Sequence, residues 1–551
     1  MVEDSIRPAT GAGALGYNHP VFPAADVAEQ FSEEERGRLA PYFSNLDRHV
    51  FALTNLPETV KGALFARYSR SAKSLRRLFL DEFADQVPVA GVTHERVGVA
   101  RAEKLYAKVF SEYGDDSVAQ LGGAHIACEY VSNILTKVLE WGRLMAYLEQ
   151  STRYVAYTDK LHGRWRYHVP VELEGPLRQR YIRTLDAAFE VYASWIPRMQ
   201  AYFDARYPKS AGDPDSVHRA AIRAKALDTL RGMLPAATQS NVGIYGTGQA
   251  FEALLLRMGA SPLEEVRVCG DAMLQELRTI IPAFLVRVDQ PDRGGRWIEY
   301  LQDARARTAE AASRIEVSPE SRAEVTLTEF DPEGEIKVAA AALYAASGLP
   351  DDQLIAIVRR LSGDERAAVL RAYIGTRSNR RHVPGRAFER TVYRFDVLTD
   401  YGAFRDLQRH RLLTLEWQAL TPRHGCVEPE AIADAGASDD WRRVMEDSAA
   451  LFDAIAGAGL HAVAPYAVAM AYRVRFYMEM NAREAMHLIE LRTAPQGHPA
   501  YRRVCQQMHR LIEQQAGHRV IAAAMRFVDH SEVELERLAS ERAIDRKKAA
   551  G

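Results

Sequence analysis

The chain has 551 residues, 47% of them hydrophobic and 26% charged, with a formal net charge of −2. That balance belongs to a globular protein with enough apolar surface for more than one core, and it excludes a globally disordered chain. Near-neutral charge gives no general pull toward nucleic acid or an anionic membrane, and no apolar run approaches the roughly 20 residues of a membrane span.

Cys128, Cys269, Cys426 and Cys505 show no C-x-x-C spacing. They suit neither a disulfide framework nor a structural zinc site, so no metal is expected. The opening MVEDSIRPATGAG lacks the basic and apolar regions of a secretory signal, which fits a cytoplasmic protein. About sixty of the 71 basic residues are Arg. A GC-rich genome and a need for bidentate anion contacts both produce that bias, and only position separates them.

In chain order, residues 1–45 read as an extended N-terminal arm rich in Pro, Gly and Ala. From Leu56 the periodicity predicts helix, broken near Tyr68–Ser71. Strand signals are short: 166–173 (RYHVPVEL), 325–330 (VTLTEF) and 391–399 (TVYRFDVLT). The polar stretch 316–325 (EVSPESRAEV) marks the main boundary and divides the rest into 46–318 and 319–551. Long helices with few strands predict an α/β (α+β) fold, helix-rich with a small mixed sheet in each part. The final segment reads as a charged helix that frays.

The two parts carry the same signals in the same order. An Ala-rich helix (64–72, 338–348) comes first. A helix leading into an Arg-bearing turn follows (143–155, 411–425), and then a helix ending in Leu-Arg (251–257, 486–492). Three matches in one order point to a tandem duplication.

Two constellations could carry chemistry. Arg409-His410-Arg411 precedes a helix bearing Asn481, Arg483, His487 and Arg492. At 100° per residue Asn481 and Arg492 share one stripe, and Arg483 and His487 are an i,i+4 pair on another. Polar groups beside an apolar stripe usually mark a ligand or a buried network, with solvated helix charges as the plain alternative. In 149–154, Ser151 and Arg153 stand two apart on an extended segment and point the same way, a hydroxyl and a guanidinium fork suited to phosphate. The basic run 377–386 (RSNRRHVPGR) reads equally as a phosphate-lining loop or a solvated turn. With no aromatic residue interleaved it does not read as a nucleic-acid site.

Together these motifs resemble the flavin-dependent thymidylate synthases, which carry RHRxxSxxExSxRY followed by NxRxxxHxxxLR. In the second part RHR and the NxR helix are intact, Thr414 replaces the Ser, and the ExSxRY portion is too long and ends in Arg423-His424. In the first part Glu149, Ser151, Arg153 and Tyr154 match, but Trp141-Gly142-Arg143 fills the RHR slot, and Gly246 and Gly248 replace the flavin-side Asn and Arg. Arg231 before Leu234-Pro235 resembles the family's RxxLP, and Gly114–Val118 its GHxSV with the His lost.

The resemblance implies transfer of one carbon from methylenetetrahydrofolate to C5 of dUMP, with hydride from reduced FAD and NADPH as reductant. It implies cofactor contacts from Arg409, His410, Arg411, Glu389, Asn481, Arg483 and His487. Glu149, Ser151, Arg153, Arg231 and Arg257 would bind substrate, and Arg257, Arg492 and Ser151 would serve the chemistry. No Cys lies in these motifs, so a covalent thiolate has no candidate.

Each part has kept what the other lost, which points to composite sites, and a homodimer would then supply the family's four units. A flavoenzyme acting on another pyrimidine nucleotide, and a non-catalytic nucleotide-binding homologue, remain as alternatives.

Overall fold

The computed structural model describes residues 29–56, 64, 68, 71–84, 123–535, 537–539, 541–542 and 545–546. The GHxSV-like segment at 114–118 lies outside them. Two four-stranded sheets have the same strand order. The first comprises β1 (Val50–Ala52), β2 (Gly123–Ser132), β3 (Met145–Glu149) and β4 (Gln239–Thr247), ordered β1-β2-β4-β3. The second comprises β5 (Val325–Phe330), β6 (Val392–Asp400), β7 (Thr414–Trp417) and β8 (Arg473–Asn481), ordered β5-β6-β8-β7. The fold is α+β, and every strand pairing is antiparallel where the sequence reading expects a mixed sheet.

The helices repeat as well. α1 (Asn133–Leu139) follows β2 directly and α5 (Tyr401–Gln408) follows β6. Their caps correspond: Ser132 accepts the Leu135 N–H and Asp400 the Ala403 N–H, each closing the first turn. The long α2 (Gly175–Arg206) corresponds to α6 (Ser438–Gly457). α3 (Gly248–Gly259) and α4 (Glu264–Arg278) correspond to α7 (Ala482–Arg492) and α8 (Pro499–Gln514).

The units meet about a pseudo-two-fold axis. The Ala236 N–H donates to Val468 (2.8 Å) and the Met470 N–H to Leu234 (2.9 Å), while Pro235 and Ala469 face each other. The next bonds out are also reciprocal, Ala237 to Tyr466 and Ala471 to Gly232. This self-complementary pattern is that of an isologous dimer interface, built here inside one chain. Tyr401 donates to the carbonyl of Asn133, its own counterpart, at 3.0 Å. One hydrophobic core runs through both units.

Three expectations are corrected. Within the supposed N-terminal arm, Glu33–Leu39 is a helix with a Ser32–Glu35 capping box. Phe31, Tyr42, Phe43 and Leu46 are buried against Ala127 and Leu148, covering the second face of the first sheet. Residues 166–173 form no strand: Pro170 cannot donate to a ladder, and Tyr167 makes a single bridge to Thr238. Residues 143–155 and 411–425 hold strands β3 and β7, not helices, before the Arg-bearing turns.

Gly232 lies at the outer end of this ribbon, where an added Cβ would come within 2.6 Å of the Trp441 ring. Gly232→Ala is expected to cost about 1–3 kcal/mol through overpacking. Gly457→Ala, where nothing lies within 4 Å, should not destabilise. Thermal unfolding of the two variants checks this.

Candidate functional site

A narrow cleft with a volume of about 30 Å³ lies where the units meet. Glu149, Gln150, Ser151, Thr152, Arg153 and Arg231 line it from the first unit, and Gly402, Arg405, Asp406 and Arg409 from the second. Strand β3 delivers Glu149 and the turn after it delivers Ser151 and Arg153. Helix α5 delivers Arg405 and Asp406 and ends at Arg409.

The charges interleave. Arg153 Nε donates to both oxygens of Asp228 (2.9 and 2.8 Å), and its Nη1 reaches the Tyr501 hydroxyl at 3.3 Å. Arg405 Nη2 donates to Glu149 at 2.5 Å, and Arg409 Nη2 to Asp406 at 2.7 Å. Arg492 lies behind them, 3.5 Å from Asp406. Burial alone would raise the Asp406 carboxyl, but Arg409, Arg492, Arg231 and Arg153 hold it far below the usual range. Burial likewise opposes ionisation of Glu149, and Arg405, Lys137 and Arg409 outweigh it, leaving its pKa at about 2.

Donors remain to be used. Arg231 Nη2, Arg405 Nε and Arg409 Nε are buried with no hydrogen-bond partner among the described residues. Gly402 admits Arg231, since a Cβ there would lie 3.0 Å from Nη2. Buried unsatisfied donors converging on a cleft suit an anionic or carbonyl-bearing ligand.

Beyond Arg409 the second constellation assembles on α7. Asn481 caps this helix, accepting the Glu484 N–H at 2.9 Å. Arg492 Nε donates to His410 Nε2 at 2.9 Å, which leaves the proton of the ring on Nδ1, 3.3 Å from Glu484. Burial, then Arg492, hold His410 neutral, and burial pushes Glu484 up to about 7. Arg483 bonds the Pro384 carbonyl (2.9 Å) and lies 3.8 Å from Glu389. Arg411 bonds the Met145 carbonyl of the first unit at 2.8 Å.

His410, Glu484 and His487 each bring a ligand atom within 4.8 Å of the others. The spacing suits a metal, but the field does not: Arg380, Arg492, Arg411 and Arg483 all act on His487. Arg492 also donates to His410 Nε2 and so leaves a proton on Nδ1, the nitrogen facing Glu484 that a metal would need free. The set favours an anion.

The corresponding place across the axis is filled differently. Trp141 stands as far beyond cap Ser132 as Arg409 stands beyond Asp400, and Trp417 pairs with the fourth residue of β8 as Glu149 does with that of β4. The two indoles meet edge to face with centroids 5.5 Å apart, and Trp141 Nε1 donates to the Leu415 carbonyl. Asp406 has Val138 as its counterpart. Two indoles stand where the open cleft holds a guanidinium and a carboxylate.

Arg257 lies on this side, its guanidinium 5.5 Å from the Trp141 ring and its Nε buried without a partner, and it does not line the open cleft. Arg423 lies in the short helix Pro422–His424, also away from the cleft. The N-cap of α3 is Thr247, so the counterparts of Asn481 and Arg483 are Thr247 and Gln249, not Gly246 and Gly248. Sequence reasoning missed Asp228, Asp406 and Arg405. A signal was available: each acid precedes a motif arginine by three residues, Asp228-x-x-Arg231 and Asp406-x-x-Arg409.

The sequence profile described as thymidylate synthase complementing protein matches residues 63–283 and again 326–518. The chain belongs to this family. The double match coincides with the two structural units. Family relatives described as UPF0159 proteins align over nearly their whole length. The Chlamydia muridarum protein is 38% identical over 93% of this chain and 98% of its own. The Chlamydia pneumoniae protein is 36% identical with the same coverage, and that of Thermoplasma acidophilum 31% identical over 87% of this chain and 97% of its own. Among solved structures, the UMP/dUMP methylase PolB from Streptomyces cacaoi, bound with 5-Br dUMP, covers 38% of this chain and 98% of its own, with 17% identity and a TM-score of 0.30.

Glu484 provides a pH prediction. Its pKa rises from 4.5 to about 7 on folding. The raised value means its contribution to stability is full below about 4.5 and is lost as pH rises through 7. Glu484→Gln should therefore flatten the fall in stability across that window by about 1–3 kcal/mol. Denaturant melts at pH 5 and pH 8 test it, and a slope unchanged in the variant contradicts it.

Proposed function

We propose that the chain is a flavin-dependent thymidylate synthase-like methyltransferase, working on dUMP at the cleft shared by its two units. The observation that carries the reading is the lining of that cleft: Ser151, Arg153 and Arg231 from the first unit face Arg405 and Arg409 from the second. The donor set fits FAD on the second unit, where Arg411 and Arg483 act on the Glu484 carboxyl, His487 lies within 4.8 Å of it and Arg492 bonds His410. Bound there, FAD reduced by NADPH would supply hydride to the one-carbon unit delivered by methylenetetrahydrofolate, with tetrahydrofolate released.

The chain's own residues bind and polarise. The Ser151 hydroxyl and the Arg153 fork hold the nucleotide phosphate, with Asp228 fixing the fork beforehand. Arg231, with a buried free donor, faces a pyrimidine carbonyl, where negative charge grows as C5 becomes nucleophilic. Arg492 fixes the His410 tautomer and the Asp406 carboxylate. Glu389 and Asn481 set Arg483 and the start of α7 for the cofactor. No cysteine lines the cleft, consistent with chemistry that needs no thiolate. Arg257, sequestered against Trp141, has no part in this scheme.

Two chains complete a four-unit array. In support, the helix Arg296–Ser313 buries no residue although it carries Trp297 and Tyr300, 57% and 66% exposed. Such apolar exposure marks a contact surface. Light scattering should give a mass about twice the 61.7 kDa of the chain; a monomer with full flavin occupancy overturns the dimer.

Calorimetry and absorbance test the site. Arg231→Ala should weaken dUMP binding roughly 30–150-fold, the value of a charge-assisted bond of about 2–3 kcal/mol, and leave the protein yellow. Arg483→Ala should be colourless, while Arg143→Ala should keep both flavin and nucleotide. Colourless wild-type protein, even with added FAD, contradicts the assignment.

A further inference from the structure

The basic loop 377–386 is a built structure, not a solvated turn. Arg377 is 2% exposed, and its guanidinium holds both oxygens of the buried Glu490 on α7, at 2.7 and 2.6 Å. The same guanidinium donates to the carbonyls of Arg380, His382 and Ala524. Each donor group of one buried side chain is thus spent on fixing this loop. His382 is tied back to Ser378 and Asn379, and the far end is tied to α7 through Pro384 and Arg483.

A buried ion pair is a costly way to gain stability, and its best-attested use is to impose one geometry. The geometry imposed here presents Arg380. That residue is half-buried, and its guanidinium has no acceptor among the described residues. Its charge acts on His487, beside those of Arg492, Arg411 and Arg483. Arg381, the next residue, is exposed. Of the four acting on His487, Arg483 and Arg492 have carboxylates in Glu389 and Asp406 at 3.8 and 3.5 Å, and Arg411 bonds a backbone carbonyl. Arg380 alone has no carboxylate or carbonyl for its guanidinium among the described residues, and a diphosphate supplies one.

We propose that the loop 377–384 forms a wall of the cofactor site and that Arg380, outside the RHR and NxR motifs, binds the pyrophosphate of the dinucleotide. The assignment rests on the flavin reading above. It predicts which part of the cofactor the residue feels, which that reading does not.

The test is fluorescence titration of the full-length apoprotein with FAD and with riboflavin, which has the same ring and no phosphate. Arg380→Gln should weaken FAD binding at least 10-fold and leave riboflavin within twofold of wild type. Arg381→Gln should leave both unchanged, and circular dichroism melts should show Arg380→Gln folded as wild type. FAD affinity unchanged in Arg380→Gln, or an equal loss for FAD and riboflavin, overturns the assignment while the flavin reading stands. Wild-type protein that binds neither compound removes both.

Discussion

Five guanidiniums, those of Arg153, Arg231, Arg405, Arg409 and Arg492, cannot be buried together unless carboxylates are set between them. Asp228, Glu149 and Asp406 do this, and the cleft exists because they do. Arg153 and Arg409 are held in place by their acids before any ligand arrives. The ordering cost is met in folding, and Arg231, Arg405 and Arg409, which line the cleft, each keep a buried donor without a partner among the described residues.

The internal duplication gives this arrangement room to be asymmetric. In an assembly of identical subunits a substitution appears in every copy of a site. Here the isologous ribbon through Pro235 and Ala469 is retained, while the clefts on either side of it have diverged. On one side Arg409 and Glu149 keep the charge lattice. On the other, Trp141 and Trp417 occupy the same two positions and meet each other. Replacing both charges of a pair by apolar groups of adequate volume costs little, whereas removing one would strand its partner. The exchange of the Asp406–Arg409 pair for Val138 and Trp141 follows that rule.

Much of this was legible in sequence, and unevenly so. The NxR helix was, because an i,i+4 pair and an apolar stripe survive in one linear segment; Arg483, His487 and Arg492 lie on α7 and Asn481, the last residue of β8, caps it. Strands β5 and β6 were, from their alternating Thr, Tyr and Val. Strand β4, QSNVGIYGT, was hidden by its glycines, which allow close approach of Met145 and Phe251 but carry no strand signal. The acids of the charge lattice were hidden for another reason. Asp228 serves an arginine 75 residues away, and Glu149 one 256 away; no local pattern contains such pairs. Arg257 shows the opposite failure: the Leu-Arg match is real in the sequence, yet its side chain is spent on Trp141.

The central claim is that each chain holds one working cleft, built from both units, and one filled by tryptophan. Calorimetric titration of the purified chain with dUMP measures this directly as a stoichiometry. One nucleotide per chain is the predicted result. Two equivalent nucleotides per chain would show that the indole-filled side still binds substrate and would contradict the account, as would no binding at all.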